Sequence, residues 1–421
     1  RAPGLVGFCL VVVISVIAGP VAAAATADYV IDVALDPSTH RLEGSERIRW
    51  TNTAEVPTDE LYFHLYLNAF AGSETTFMRE VAESPLRWFS GSAGDRGWTR
   101  ITSIELGDGL DLLPALEFVR PDDGNPHDFT VARVALPREI RPGEVIELDV
   151  EFEARLPWIA ARTGHTGDFH LVAQWFPKLG VFEGEAGWNC HQFHATSEFF
   201  ADFGSYEVTM TIPEGWVLGA TGVEMGRAPA ANGRQSVTHL AQRVHDFAWC
   251  TAPPELMEVV ESDFDPGRDV PMAWLDRARS LLEMSPADLE LPPMQIRLLV
   301  PRTQRSLADR MVRAARLSIA WYGLRFGAYP YPWLTVVSPP RGAGAAGGME
   351  YPNFITTGTG NLVAFPPFSR SPGIEAVTVH EFGHQYFQGM LASNESEEAW
   401  LDEGVTSYTE VECMTCLLYT S

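Results

Sequence analysis

The stretch "VHEFGHQYFQGMLASNESEEAWLDEG", residues 379–404, carries the side chains best suited to chemistry. His380 and His384 stand four residues apart. On a helix they point the same way, and their ring nitrogens can bind one ion. Glu381 lies about 100° round such a helix, beside the ion but too far round to be an obvious ligand. Glu403, after a gap of eighteen residues, is the natural third ligand if the helix that carries it packs beside the first. Zinc accepts histidine nitrogen and carboxylate oxygen, and three protein ligands leave a fourth position for water, the arrangement of a catalytic site. A structural zinc would fill all four positions, usually with cysteine, and no cysteine pattern is present. The competing reading is a helix whose histidines are merely packed. An HExxH followed by a glutamate at one stated position arises by chance only about once in several hundred such chains.

A second motif lies about thirty residues upstream, "GGMEYPN" from Gly347. Read locally, its glycines make a loop and Glu350 is a solvated acid. Taken together, Gly347-Gly348-Met349-Glu350, His380-Glu381-x-x-His384 and Glu403 resemble the gluzincin aminopeptidases of peptidase family M1. "HEFGHQYFQ" is similar to the family's HExxHxWFG stretch, "WLDEGVTSYTE" to its WLNEGFA segment, and "YVIDVALDPSTHRLEGSERIRWTN" to the opening of its N-terminal domain.

The resemblance implies a zinc metallopeptidase with one ion on His380, His384 and Glu403. Glu381 would activate a zinc-bound water as general base and pass the proton to the leaving amine. Glu350 would bind the free α-ammonium group of a peptide substrate, and residues 347–350, with Gly347, Gly348 and Met349, would lie along the substrate as an edge strand. Asp168 sits where the family has a second amine-binding residue, although a gap would move the match to His170. Departures from the family pattern are Tyr351 in place of its usual asparagine, Pro352 after it, and Tyr386 in place of tryptophan. The family's transition-state tyrosine would fall beyond Ser421, and Tyr408 is too close to Glu403 to replace it. The helical C-terminal domain that covers the cleft in the family is expected to be missing as well. The resemblance therefore implies a fragment that binds zinc and turns over poorly.

These motifs need elements to hold them. Residues 28–250 read as strands: "VIELDVEFEA" sets Ile146, Leu148, Val150 and Phe152 on one face, and "YEVTMTI" does so with Tyr206, Val208, Met210 and Ile212. A largely antiparallel sandwich or saddle follows. After Pro253-Pro254 the pattern changes. Leu307, Met311, Ala315, Ile319 and Tyr322 recur at helical spacing and predict an amphipathic helix over 304–324, with strands at "IRLLV" and "LTVVS". The fold class expected is therefore α+β and multidomain, with the β domain followed by a thermolysin-like mixed α/β zinc peptidase domain over 251–415. "RGAGAAGG" at 341–348 reads as a flexible loop.

The remaining features bound location and partners. A formal charge of −25 argues against nucleic acid or an anionic membrane surface. Lys178 is the only lysine, and the arginine preference beside abundant Ala and Gly fits a GC-rich genome rather than a function. Residues 1–27 combine a basic start, an apolar run and small residues, which predicts a signal peptide or a membrane anchor and an extracytoplasmic body, either periplasmic, secreted or anchored. Residues 416–421, "CLLYTS", reverse-translate to a sequencing-adapter end and are expected not to be native, which empties Cys413-x-x-Cys416 of meaning. Cys190 and Cys250 remain, paired or as buried thiols. The histidine groups "NCHQFHATSEFF" (His191, His194) and "HTGDFH" (His165, His170) are candidates for a second metal site, against the commoner reading of histidines with local partners. Three functions compete: a zinc aminopeptidase, a thermolysin-type endopeptidase, and a noncatalytic peptide-binding protein. Glu350 and the eighteen-residue gap favour the first over the second, and Glu381 disfavours the third.

Overall fold

The computed structural model describes residues 26–84, 96–159, 161–197, 199–282, 289–358 and 371–419. Most of the export segment and the last two residues lie outside them.

Alternating sequence produces the first half of the molecule. In Val145–Arg155 the apolar set Ile146, Leu148, Val150 and Phe152 is buried while its alternates face outward. Gly204–Pro213 behaves likewise, with Tyr206, Val208, Met210 and Ile212 inside. These strands join a seven-stranded sheet in the order Val223–Ala230, Arg234–Val244, Gly204–Pro213, Ala27–Asp36, Arg41–Thr51, Val145–Arg155, Trp98–Leu106. Its pairings are antiparallel except one, between Ala27–Asp36 and Gly204–Pro213. That exception was not legible locally, because a parallel neighbour returns only after a long crossover. Gly204 permits the close approach there, since a Cβ on it would sit 1.6 Å from the carbonyl oxygen of Ala27.

Two smaller four-stranded sheets complete this half, with a two-stranded pair of Val181–Phe182 and Trp188–Asn189. One orders Lys178–Leu179, Thr58–His64, Val131–Ile140 and Leu116–Val119, and the other Val217–Ala220, Trp249–Ala252, Phe169–Val172 and Gly164–Thr166. A single apolar core takes side chains from all three, including Trp50, Phe63, Phe152, Tyr206 and Trp249. The short helix α1 (Thr76–Glu83) lies outside this core's sheets, capped by the Thr75 hydroxyl accepting from the amide of Met78.

The second half is mixed. A four-stranded sheet runs Met257–Phe264, Met294–Pro301, Trp333–Val337, Phe354–Thr356, the last two pairings parallel. Among the described residues six helices accompany it: α2 (Pro266–Asp269), α3 (Met272–Leu282), α4 (Ala308–Phe326), α5 (Gly373–Phe387), α6 (Glu395–Ala399) and α7 (Val405–Tyr419). The predicted helix 304–324 begins later as α-helix, because Arg302–Leu307 forms a tighter 3-10 segment first. Its expected apolar face is buried at Leu307, Met311, Ala315, Ile319 and Tyr322. A further apolar cluster joins the halves, combining Phe169, Leu171 and Cys250 with Leu299, Val337, Met349 and Phe354. The architecture is α+β, a β domain followed by a mixed domain.

Candidate metal centre

Helix α5 buries Ile374, Val379, Phe382 and Tyr386 against the mixed core, where Tyr386 stacks on Tyr322 of α4. Gly383 makes that approach possible, because a Cβ there would lie 2.4 Å from the Tyr322 hydroxyl. Fixing this face toward α4 turns His380, Glu381 and His384 toward a cavity on the opposite side. Between α6 and α7, Trp400–Gly404 forms a π-helical turn, which brings Asp402 and Glu403 beside α5. Such turns carry one extra residue and reorient the side chains on either side.

Carboxylates accept hydrogen bonds and do not donate them when ionised, so each histidine tautomer follows from its partner. Glu410 Oε2 lies 3.0 Å from His380 Nδ1, and Asp402 Oδ1 takes the Nδ1 hydrogen of His384. The two Nε2 atoms turn toward each other and lie 3.0 Å apart, within hydrogen-bonding distance. Glu403 Oε2 stands 3.4 Å from the first and 3.8 Å from the second. These edges bracket the roughly 3.4 Å expected between ligands about 2.1 Å from a tetrahedral ion. Two imidazoles and one carboxylate are also a donor set that zinc accepts, and both histidines are oriented by a carboxylate on their other nitrogen. The residues present therefore fit zinc.

The surroundings are short of positive charge. Burial and the nearby Glu350 carboxylate push the Glu381 carboxyl well above its usual range. Burial also raises Glu350, although His384 partly opposes it. Burial alone would lower His384, but its bond to Asp402 and the field of Glu350 lift it to about 10. Glu403 is held low by its contact with His380. A divalent cation is the species such a set attracts.

The cavity has a volume of about 740 Å³ and is lined by His380, Glu381, His384 and Glu403, by Gly347, Gly348, Met349 and Glu350, by Arg162, and by one face of α1. The Gly347–Glu350 segment runs along the edge of the mixed sheet, where Met349 and Thr356 form an antiparallel bridge. The amide of Gly348 donates to Thr356 O at 3.0 Å, and that of Thr356 to Met349 O at 2.8 Å. Gly348 has φ +73°, which a side chain would strain, and a Cβ on Gly347 would meet Thr357 O at 2.7 Å. Gln385 ties this edge to α5: its Nε2 donates to the carbonyls of Glu350 and Tyr351, and its Oε1 accepts from Tyr329 and from the amide of Asn353.

Eight of the nine sequence-derived site residues thus line one cavity. Asp168 does not. It is exposed at the two-residue turn of the Gly164–Thr166 and Phe169–Val172 hairpin, because Thr166 pairs with Phe169 and leaves Gly167 and Asp168 at the tip. The alternative, His170, is wholly buried and bonded to His40 Nδ1 at 3.0 Å. The same segment instead delivers Arg162 to the cavity, with φ +65°. His191 and His194 have both ring nitrogens facing carboxylates, and among the described residues they join no group whose ligand atoms converge as those of His380, His384 and Glu403 do. Cys190 and Cys250 are buried free thiols. Asp402, Glu410, Gln385 and Arg162 were missed from sequence. Asp402 and Glu410 had a signal, since acids one residue before and seven after Glu403 fall on a turn beside the zinc helix, while Arg162 had none.

The comparisons with known proteins agree with this geometry. Residues 313–419 match the model of the peptidase family M1 domain. No curated protein matches the sequence. Among solved structures, the M1 zinc metallopeptidase from Deinococcus radiodurans is similar over 92% of this chain and 70% of its own, with a TM-score of 0.52 at 16% identity. A variant of that protein bound to a Tyr-Ser-Ala substrate gives 0.51 at 17% identity over 91% and 70%. Legionella pneumophila aminopeptidase A in complex with aspartic acid gives 0.59 at 14% identity, covering 93% of this chain and 37% of that one. Residues 313–419 thus match the peptidase family M1 domain, and the fold of the chain is that of M1 zinc metallopeptidases.

Proposed function

We propose that this protein is a zinc-dependent aminopeptidase that releases N-terminal residues from peptides with a free amino terminus. The observation that carries this reading is the convergence of two histidine nitrogens, Glu403, Glu381 and Glu350 on one cavity. His380, His384 and Glu403 hold one zinc ion. That ion supplies Lewis acidity, polarising a carbonyl and acidifying water. Glu381, whose raised affinity for protons comes from burial, accepts the proton of the attacking water and returns it to the leaving amine. Glu350 pairs with the substrate ammonium group, and the edge from Gly347 to Glu350 aligns the substrate backbone. Glu410 and Asp402 hold the two imidazoles in the tautomer that binds metal.

The protein acts outside the cytoplasm, with membrane association through residues 1–27 only, and takes neither nucleic acid nor a second metal. A thermolysin-type endopeptidase would have no use for an acid at Glu350, and a noncatalytic binding module none for Glu381.

A double-mutant cycle tests the assignment. In a full-length protein, Glu350→Ala lowers efficiency on aminoacyl substrates by about ten- to a hundredfold, the scale of one lost charge-assisted hydrogen bond. Acetylating the substrate amine costs wild type heavily and the variant little further, since each change removes one half of the same interaction. Additive losses overturn the role of Glu350. Cleavage of internal bonds at equal rates in free and acetylated peptides supports the endopeptidase, and zinc retention without any hydrolysis supports the binding protein.

A further inference from the structure

Three histidines pack on one another away from the metal centre. His40 stands in the turn between Ala27–Asp36 and Arg41–Thr51, and His165 pairs with His170 across the hairpin of Gly164–Thr166 and Phe169–Val172. The His40 ring lies flat on His165, with centroids 3.4 Å apart and planes 10° from parallel. Its Nδ1 is 3.0 Å from His170 Nε2, and His170 Nδ1 is 3.1 Å from the carbonyl oxygen of Asp168. His170 is wholly buried and His165 nearly so. A carbonyl only accepts, so the Asp168 contact puts a hydrogen on His170 Nδ1 and leaves its Nε2 to accept from His40 Nδ1. One hydrogen thus fills the gap between the two rings. The charged groups that bear on the cluster are Arg155 at the end of Val145–Arg155, Asp36 before the turn and Asp168 on the hairpin. Trp216 stands over His170 at 6.0 Å, and Trp249–Ala252, which pairs with the hairpin, brings no charge. Burial and Arg155 lower His40 against the pull of Asp168 and Asp36, while burial and the two neighbouring imidazoles hold His170 down to about 3.

The hairpin is also tied to the loop that precedes the Gly347–Glu350 edge. Thr166 Oγ1 donates to Gly342 O at 3.4 Å, and the amide of Arg162 donates to Ala345 O at 2.9 Å. The Tyr351 hydroxyl closes the connection by donating to Arg162 O at 2.9 Å. We propose that His40, His165 and His170 form an acid-released latch, which when neutral clamps the hairpin to the seven-stranded sheet and keeps Arg162 and the Gly347–Glu350 edge in place. A further proton has no site in the closed form. On His170 Nε2 it would face the His40 hydrogen across the same 3.0 Å gap, and on the other His40 nitrogen it would lay a cation flat against His165 and beside Arg155. The rings take up protons by parting. Above the ordinary histidine value of about 6.5 the closed and open forms bind the same protons and the latch is at full strength. Below it the open form binds more, so closure weakens as pH falls toward the lowered value of the closed form. Each imidazole that charges on opening favours the open form about tenfold per pH unit.

Amide hydrogen exchange of the zinc-loaded full chain between pH 7.5 and pH 5 tests this, with rates corrected for the intrinsic pH dependence of exchange and zinc content held constant. The amides of His165, bonded to Pro157 O, and of Arg162 report the hairpin, and that of Val150 inside the seven-stranded sheet reports global opening. In wild type, protection at His165 and Arg162 falls by about ten- to a hundredfold per pH unit below pH 6.5, while Val150 stays protected. His40→Gln keeps a side-chain donor but cannot charge. It matches wild type at pH 7.5 and at pH 5 retains at least about tenfold more hairpin protection. His170→Gln is expected to do the same, and His40, at the less buried position, carries the test if that variant fails to fold. Parallel loss at all three amides, or an unchanged slope in His40→Gln, overturns the latch. Loss at His165 without loss at Arg162 overturns its connection to the substrate edge. Two zinc ions per wild-type chain, falling to one in His40→Gln, would make the cluster a metal site and overturn the proposal as well.

Discussion

Two histidine–carboxylate clusters in this molecule differ in how their side chains are gathered. Around α5, each histidine sets Nδ1 against an acid, and the two Nε2 atoms lie 3.0 Å apart with Glu403 Oε2 3.4 and 3.8 Å from them. His191 and His194 set both nitrogens against acids. Asp122 lies 2.7 Å from His191 Nδ1 and 3.0 Å from His194 Nε2, Glu80 of α1 lies 2.6 Å from His194 Nδ1, and Glu397 of α6 reaches the remaining nitrogen of His191. Both imidazoles are shifted toward the charged form: Asp122 raises His191, and Asp122 with Glu80 raises His194 to about 9. Their chain of charges runs from α1 through two loops to α6, tying the β half to the segment that precedes Glu403. The residue types are alike in the two clusters. What differs is convergence: at α5 two imidazole nitrogens and one carboxylate oxygen lie within 4.8 Å of one another, whereas among the described residues no such set forms around the clasp of His191 and His194.

The largest effect should come from removing one of the convergent nitrogens. His384→Ala is expected to abolish zinc retention and peptidase activity, whereas His194→Ala leaves one zinc per chain by elemental analysis. Zinc loss in the second variant would make the clasp a metal site after all. Next, Glu381→Gln keeps size and most hydrogen bonding but cannot take the proton. We expect kcat to fall by about two to four orders of magnitude with zinc content unchanged. Turnover near wild type removes Glu381 from the chemistry.

Substituting the acids sharpens the contrast. Asp402→Asn should weaken zinc affinity by about ten- to a hundredfold, measured by competition with a chelator, because the His384 tautomer and orientation are no longer enforced. Asp122→Asn, the matching change in the clasp, should leave that affinity untouched.

The smallest effect concerns pH. A histidine whose pKa is raised on folding contributes stability fully below its unfolded value near 6.5, and loses it as pH rises through the folded value. For His194 the loss should centre near pH 9. Thermal midpoints of wild type and His194→Gln should therefore differ by a few degrees at pH 6 and converge by pH 10, for a partly exposed pair worth about 1 kcal/mol. A gap that persists at pH 10 would show that His194 stabilises by packing rather than by charge.

Much of the centre was written in local spacing. The four-residue interval of His380 and His384 is a property of any helix, and α5 supplied the helix. Likewise the alternation around Ile146 and Tyr206 required only that one face of each strand be buried, which an alternating sequence specifies by itself. Where the reading depended on sequence distance alone it failed. Asp168 rests on an ungapped match to the family, but it falls on a hairpin turn that sends it to solvent, while Arg162 from the same segment enters the cavity.

The sequence by itself therefore determined which side chains could gather as a metal centre, the class of metal that they suit, and the β then α/β order of the fold, because periodicity and ligand type are local properties. Tertiary structure decided the rest. It set Asp402 and Glu410 against the Nδ1 atoms of His384 and His380, stapled the Glu350 edge to α5 through Gln385, and brought Glu395 of α6 beside Glu350. Each of those depends on contacts between segments far apart in the chain, whose registers are fixed only when the helices and sheets pack.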